Sequence, residues 1–137
     1  MKILEVMTSK RKLGNLGEEA ALAHLKKNKY VILEKNYVAL GNEIDIIAKN
    51  EDTLAFVEVK TRSLGNDARF ESRPSASVTP EKQRKIIKTA RYYAASHPLG
   101  LRLRLDVIEV YVKDNKVERI HHIENAFNQN TANKFHR

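Results

Sequence analysis

Apolar residues recur at helical intervals near the start of the chain. Leu13, Leu16, Ala20 and Ala23 fall at helical spacing, which predicts a helix from about Leu13 to Asn28. On that wheel Glu18 lies between Leu22 and Leu25, whereas Glu19 lies beside Lys26 on the polar side. One of two neighbouring glutamates is therefore aimed at packed surface, where a carboxylate needs a partner or a purpose. The pattern then changes to alternation, the period of a strand. Tyr30 to Leu33 with Asn36 to Val38 reads as one strand, Glu43 to Ala48 as a second and Thr53 to Lys60 as a third. Gly41-Asn42 and Lys49-Asn50-Glu51-Asp52 supply the breaks between them. Three strands so closely spaced predict an antiparallel meander.

The stretch from about Thr61 to Val78 contains Gly65-Asn66-Asp67, Pro74 and four serines, and reads as a long loop; such loops inside compact domains are usually functional or disordered. Thr79-Pro80-Glu81 then combines a capping hydroxyl, proline at the first helical position and an acid in the first turn. The helix it opens runs to about Ser96, with Ile86, Ile87, Ala90, Tyr93 and Ala94 facing inward. Leu103 to Val112 alternates as a fourth strand and Val117 to Ile123 as a fifth. A helix between the third and fourth strands allows those two to pair in parallel through a crossover. The expectation is one α/β domain over residues 13–125, a mixed β-sheet flanked by helices. A flexible basic segment over 1–12, ending in Lys10-Arg11-Lys12, would precede it, and a tail over 126–137 would follow.

A length of 137 residues fits one domain, and no apolar run approaches the roughly 18 residues that a membrane span requires. The opening residues are too short and too charged for a secretory signal, so the cytoplasm is the expected location. The chain has no cysteine, which excludes disulfides, thiolate metal sites and cysteine nucleophiles. Its net charge of +8 favours a polyanionic partner. The excess is uneven: between Lys60 and Arg91 nine basic residues stand against three acids. Arg62, Arg69, Arg73, Lys82, Arg84, Lys85 and Lys88 are the nucleic-acid-binding candidates in that stretch.

Candidate chemistry sits on the second and third strands. Glu43 and Asp45 share a face, and so do Glu58 and Lys60. A turn centred on Asn50-Glu51 sets Asp45 opposite Phe56 and diagonal to Glu58, roughly 7–8 Å between α-carbons. A divalent cation can bridge carboxylates at that separation, and a slip of one residue would send Asp45 to the other face. Two carboxylates with the Val59 carbonyl form a hard oxygen set suited to Mg²⁺ or Mn²⁺. Lys60 beside them would offset negative charge on an attacked phosphate. The reaction class is phosphodiester hydrolysis. The plainer alternative is a solvated strand face, since charged residues make up 31% of the chain.

These residues also carry a resemblance. Gly14-Asn15-Leu16-Gly17-Glu18-Glu19-Ala20, Asn42 to Ala48, Phe56 to Arg62, Lys82-Gln83-Arg84 and Arg104 to Ile108 follow one another as in the YraN-like group of small bacterial proteins. That group is similar to Holliday-junction resolvases of the PD-(D/E)XK nuclease superfamily. The resemblance implies a restriction-endonuclease-like core, Asp45 and Glu58 as metal ligands, Lys60 as the catalytic lysine and Glu18 as an additional catalytic acid. It also implies branched or structured nucleic acid as substrate, with DNA favoured over RNA, and a homodimer compatible with two symmetric cuts. Asn42 stands where the group usually has glycine, and Leu105 where it often has phenylalanine.

Other residues are not promoted. His24, His97, His121, His122 and His136 show no ligand spacing with acids, and Arg104 shares a strand face with Asp106, with which it can pair. Phe70 is a candidate for base stacking, whereas Tyr92 and Tyr93 read as helix packing. The rival functions are a non-catalytic nucleic-acid-binding module on the same fold and a protein-interaction adaptor with a basic surface.

Overall fold

The structure, a computed structural model, describes residues 2–64 and 78–130, with side chains from residue 11 onward. Its elements are α1 (Lys2–Lys27), β1 (Val31–Ala39), β2 (Asn42–Lys49), β3 (Thr53–Ser63), α2 (Pro80–Ser96), β4 (Arg102–Lys113) and β5 (Lys116–Ile123). The five strands form one sheet in the order β1-β2-β3-β4-β5. β1, β2 and β3 make the expected antiparallel meander. β3 and β4 pair in parallel from Thr53↔Arg102 to Ser63↔Val112, with α2 in the crossover. β5 returns antiparallel to β4. This mixed sheet with two helices is an α/β fold consistent with a restriction-endonuclease-like core.

Helix α1 begins earlier than the apolar pattern predicts. Helical backbone starts at Lys2, so the arm expected over 1–12 is the first part of the helix. The segment contains neither glycine nor proline and is rich in Lys, Leu, Met and Glu, which extend a helix even without a buried face. The helix ends where Lys29 adopts a positive φ of 68° and the Tyr30 N–H returns to the Leu25 carbonyl at 2.9 Å. The β1–β2 turn needs two left-handed residues, and Leu40 (φ 54°) and Gly41 (φ 74°) provide them.

The sheet is covered on both faces. On one side Ala21 and Leu25 of α1 pack on Ile46, Val57, Ile108 and Val110. On the other, Ile86, Ile87 and Tyr93 of α2 pack on Ile47, Phe56, Leu105 and Val107. β3 is thus buried from Thr53 to Glu58, as a central strand should be. Gln83 and Thr89 join the inward face of α2, beyond the apolar positions expected there. The tail expected from residue 126 contains a core residue. Phe127 is 1% exposed in the α2-side core, and the Ala126 N–H donates to the Leu105 carbonyl at 2.8 Å. None of the described helices is long and apolar enough to cross a membrane.

Candidate active site

β2 and β3 pair from Ile46↔Val57 to Lys49↔Leu54. The pairing differs from the expected register by two residues: Ala48 faces Ala55, not Thr53. The turn centres on Glu51-Asp52, one position beyond the expected Asn50-Glu51, and Asn50 closes it. Its N–H donates to the Thr53 carbonyl at 3.0 Å, and its Oδ1 accepts the N–H groups of Thr53 at 2.9 Å and Asp52 at 3.2 Å. A shift of two keeps the faces of the paired stretch, but just beyond it Ile44 packs on the α2 side and Ile46 on the α1 side, so the alternation breaks at Asp45. It also carries Asp45 from beside Phe56 toward Glu58.

Backbone pairing between β2 and β3 stops at Ile46. One residue further along β2, Asp45 Oδ2 accepts the Val59 N–H at 2.8 Å. A side-chain carboxylate thus takes the place of a ladder carbonyl, at the point where the two strands part. The peptide N–H it holds lies between Glu58 and Lys60. The Asp45 pKa is raised to about 6, chiefly by burial and next by the negative charge of Glu58, with smaller contributions from Glu43 and Glu18; the Val59 N–H opposes them.

Glu58 and Lys60 point to the α2 face of β3. Glu58 is only 7% exposed, and its Oε1 faces two ammonium groups, Lys82 Nζ at 3.1 Å and Lys60 Nζ at 3.5 Å. Lys82 is set by the start of α2, where Thr79 Oγ1 accepts the Lys82 N–H at 3.2 Å and Pro80 occupies the first turn. Val59 packs its side chain into the α1-side core.

Glu18 reaches the same region from α1. It is half-buried and shares a cleft of about 300 Å³ with Asp45, Val59 and Thr61. Gly17 makes this approach possible. A Cβ there would come within 2.9 Å of Thr61 Cβ and Cγ2, and closer still to its hydroxyl. The helix backbone therefore lies against β3 one residue before Glu18.

Among the described residues no three His, Cys, Asp or Glu side chains close into a ready cage for an ion. The donor chemistry nevertheless fits a hard divalent cation. Asp45 and Glu58 bring two carboxylates together with Glu43 and Glu18 near enough to raise the first of them, and such a cation would offset that mutual repulsion.

The family model described as uncharacterised protein family UPF0102 matches residues 17–110. The chain belongs to UPF0102. It is 44% identical over 130 residues to a UPF0102 protein of Desulfosudis oleivorans, covering 93% of this chain and 98% of that one. A UPF0102 protein of Clostridioides difficile is 46% identical over 122 residues, covering 88% of this chain and 100% of the relative. One of Caldanaerobacter subterraneus is 42% identical over 122 residues, covering 87% and 97%. The UPF0102 match contains Glu18, Asp45, Glu58, Lys60 and Lys82.

The predicted phosphate-binding side chains of this UPF0102 chain fall into three groups. Lys82, Lys85 and Lys88 are exposed along α2, with Lys85 beside Glu81 at 3.7 Å, and Arg84 is half-buried on the same helix. A second cleft, of about 370 Å³, separates Lys82 and Lys85 from Gly41, Asn42 and Glu43 of the β1–β2 turn. Arg62 lies on β3 with its Nε 3.8 Å from Glu109 Oε2. Arg69 and Arg73, with Phe70, lie outside the described residues.

Two polar groupings extend beyond what the sequence pattern gives. Glu109, fully buried, pairs in register with Lys60 and accepts the Tyr111 hydroxyl at 2.8 Å. Alternation alone marks it as inward-facing and says nothing of its partners. On the opposite face, Asp106 receives Arg104 through two hydrogen bonds of 2.9 and 2.8 Å, as their shared strand face suggested. Asp106 also accepts from His122 Nε2 at 2.8 Å, and His122 Nδ1 meets His24 Nε2 at 3.1 Å. Burial raises the Asp106 pKa, but the hydrogen bonds from His122, Arg104 and Asn125 outweigh it and hold the carboxyl below its ordinary value. Burial, His122 and Lys27 together lower the pKa of His24.

Proposed function

We propose that this UPF0102 protein is a metal-dependent endonuclease that hydrolyses phosphodiester bonds in branched or structured nucleic acid, DNA before RNA. The observation that carries the reading is the Asp45 carboxylate held on the Val59 N–H, between Glu58 and Lys60. Two carboxylates, one carbonyl and an ammonium group on adjoining strand positions are what a phosphodiester hydrolase needs at its centre.

Asp45, Glu58 and the Val59 carbonyl would hold Mg²⁺ or Mn²⁺. Once bound, such an ion polarises a phosphate oxygen and lowers the pKa of a coordinated water. The protein's own groups do the rest. Lys60 presents its ammonium beside Glu58 and offsets negative charge on the attacked phosphate. Glu18, across the cleft from β3, accepts a proton from water at that site. Lys82, Lys85 and Lys88 of α2, with Arg62, Arg84, Arg69 and Arg73, contact phosphates along the substrate. A homodimer would cut two strands symmetrically. A cysteine-free chain is suited to the reducing cytoplasm.

A second reading, a non-catalytic nucleic-acid-binding module, is favoured by one observation: Glu58 is already met by two ammonium groups. A cleavage panel of branched DNA, single-stranded DNA and RNA with Mn²⁺ separates the two. The nuclease reading expects cleavage that vanishes in Asp45→Asn and Glu58→Gln while binding persists. Tight binding by the wild type with no cleavage of any substrate would leave the binding module standing.

A further inference from the structure

Away from Asp45, on the α1 face of the sheet, two histidines 98 residues apart meet nitrogen to nitrogen. His24 Nε2 of α1 and His122 Nδ1 of β5 are 3.1 Å apart, and the rings stand at 74° to each other. Behind His122, Asp106 is fully buried and fixed by Arg104, by the Asn125 N–H at 3.0 Å and by His122 itself. In front of the pair lies a cleft of about 480 Å³, lined also by Asn28, Tyr30, Asn50 and Glu124.

We infer that His24 and His122 form a binding site for a borderline transition-metal ion, with Zn²⁺ the best-suited. Three features carry the inference. Two nitrogens on a tetrahedral zinc ion, each at 2.0–2.1 Å, stand about 3.3 Å apart, so the pair needs to open by only a few tenths of an ångström. The hydrogen bond of His122 Nε2 to Asp106 fixes the tautomer that leaves Nδ1 with a lone pair, the carboxylate–histidine–metal arrangement that orients and strengthens an imidazole ligand. The polar cleft in front gives room for an ion with its water.

In the metal-free form His24 Nε2–H donates to His122 Nδ1. On binding, that proton moves through solvent to His24 Nδ1, and the ion takes the shared position between the rings. Asn28, whose side-chain nitrogen is 3.5 Å from His24 Nδ1, then turns its amide oxygen to accept the proton. Among the described residues no third His, Cys, Asp or Glu completes the set, so water or an added ligand fills the remaining positions. The site is therefore open and exchangeable. Its ion would join α1 to β5, the edge strand. This inference does not depend on the nuclease reading, because it uses no residue of the Asp45–Glu58 centre.

Titration of the full chain with Co²⁺, followed by its visible absorption, and then with Zn²⁺ in competition tests it. One equivalent should bind with a tetrahedral-type spectrum, Zn²⁺ should displace it, and the melting temperature should rise with Zn²⁺. His24→Gln should weaken binding about tenfold or more, and Asp106→Asn should weaken it in the same direction. Asp45→Asn and His121→Gln should bind as the wild type does. His122 touches a buried carboxylate, so His24→Gln, at a half-exposed helix position, keeps the test independent of folding. No uptake by the wild type would mean a hydrogen-bonded pair that only pins α1 to the sheet. Uptake unaffected by His24→Gln, or lost in Asp45→Asn, would put the ion elsewhere; each of these results overturns the inference.

Discussion

Asp45 of β2 and Val59 of β3 are joined through a side chain: the aspartate Oδ2 accepts the valine N–H at 2.8 Å, one residue beyond the last backbone pair of their strands. A single carboxylate therefore sets how far the acidic end of β2 stands from Glu58. The ionisation of that carboxylate and the geometry of the site are one problem.

In the metal-free protein the Asp45 carboxyl titrates at about 6, against 3.8 for an ordinary aspartate. A raised acid favours the fold only while protonated. Its contribution is complete below about 3.8 and is lost as pH rises through about 6. The difference amounts to roughly 3 kcal/mol at most. Asp45→Asn is uncharged at every pH and still accepts the Val59 N–H. In EDTA it should unfold at higher urea than the wild type at pH 8, and at nearly the same urea at pH 4. Equal midpoints at pH 8 would contradict the buried-charge argument.

Gly17 and Gly14 lie on the same helix and should respond in opposite ways to alanine. Gly17→Ala drives a methyl into Thr61 and should destabilise the chain by about 1–3 kcal/mol. It should also displace Glu18 and lower any metal-dependent cleavage. Gly14→Ala meets nothing within 4 Å and should stabilise by about 1 kcal/mol through helix propensity alone. Urea midpoints for the two variants, measured side by side, check the close approach of α1 to β3.

Lys82 is 48% exposed although its ammonium lies 3.1 Å from Glu58. Lys82→Met should change stability by no more than about 1 kcal/mol, because the pair is solvent-screened and Lys60 stays near Glu58. On the nucleic-acid reading it removes one phosphate contact. The slope of log affinity against log salt should then fall by about 1, equally for all sequences of the same structure. An unchanged slope would remove Lys82 from the interface.

Arg104 is the principal cation on the fully buried Asp106. Arg104→Met leaves that carboxylate without its guanidinium and should cost about 3–5 kcal/mol. Arg104→Lys should recover only part of this, since an ammonium cannot match both oxygens at once. Denaturant unfolding of the three proteins at pH 7 measures the difference.

How much of this was legible beforehand depended on the range of each interaction. The alternation around Asp45 and Glu58–Lys60 placed their strands correctly, and the capping residues Thr79-Pro80 placed α2, because those signals are local. The register was two residues off because the turn centres one residue later, on Glu51-Asp52, where the Asn50 side chain accepts the Thr53 N–H. Alternation did not carry through Asp45 itself, because Ile44 packs on the α2 side and Ile46 on the α1 side. Gly17 gave no sign of its role, which exists only against Thr61. The histidines were passed over for the same reason. Ligand spacing is a local signal, and His24 and His122 meet only after the sheet has brought β5 beneath α1.

Phe127 closes the core under α2, four residues after β5 ends. A polypeptide halted before that ring is added has every strand of the sheet but an open seam beside Ile87 and Leu105. Loss of a buried phenylalanine is worth about 3–5 kcal/mol, a large share of what a small domain has to spare. A chain without that ring would thus spend more of its time unfolded and open to proteolysis.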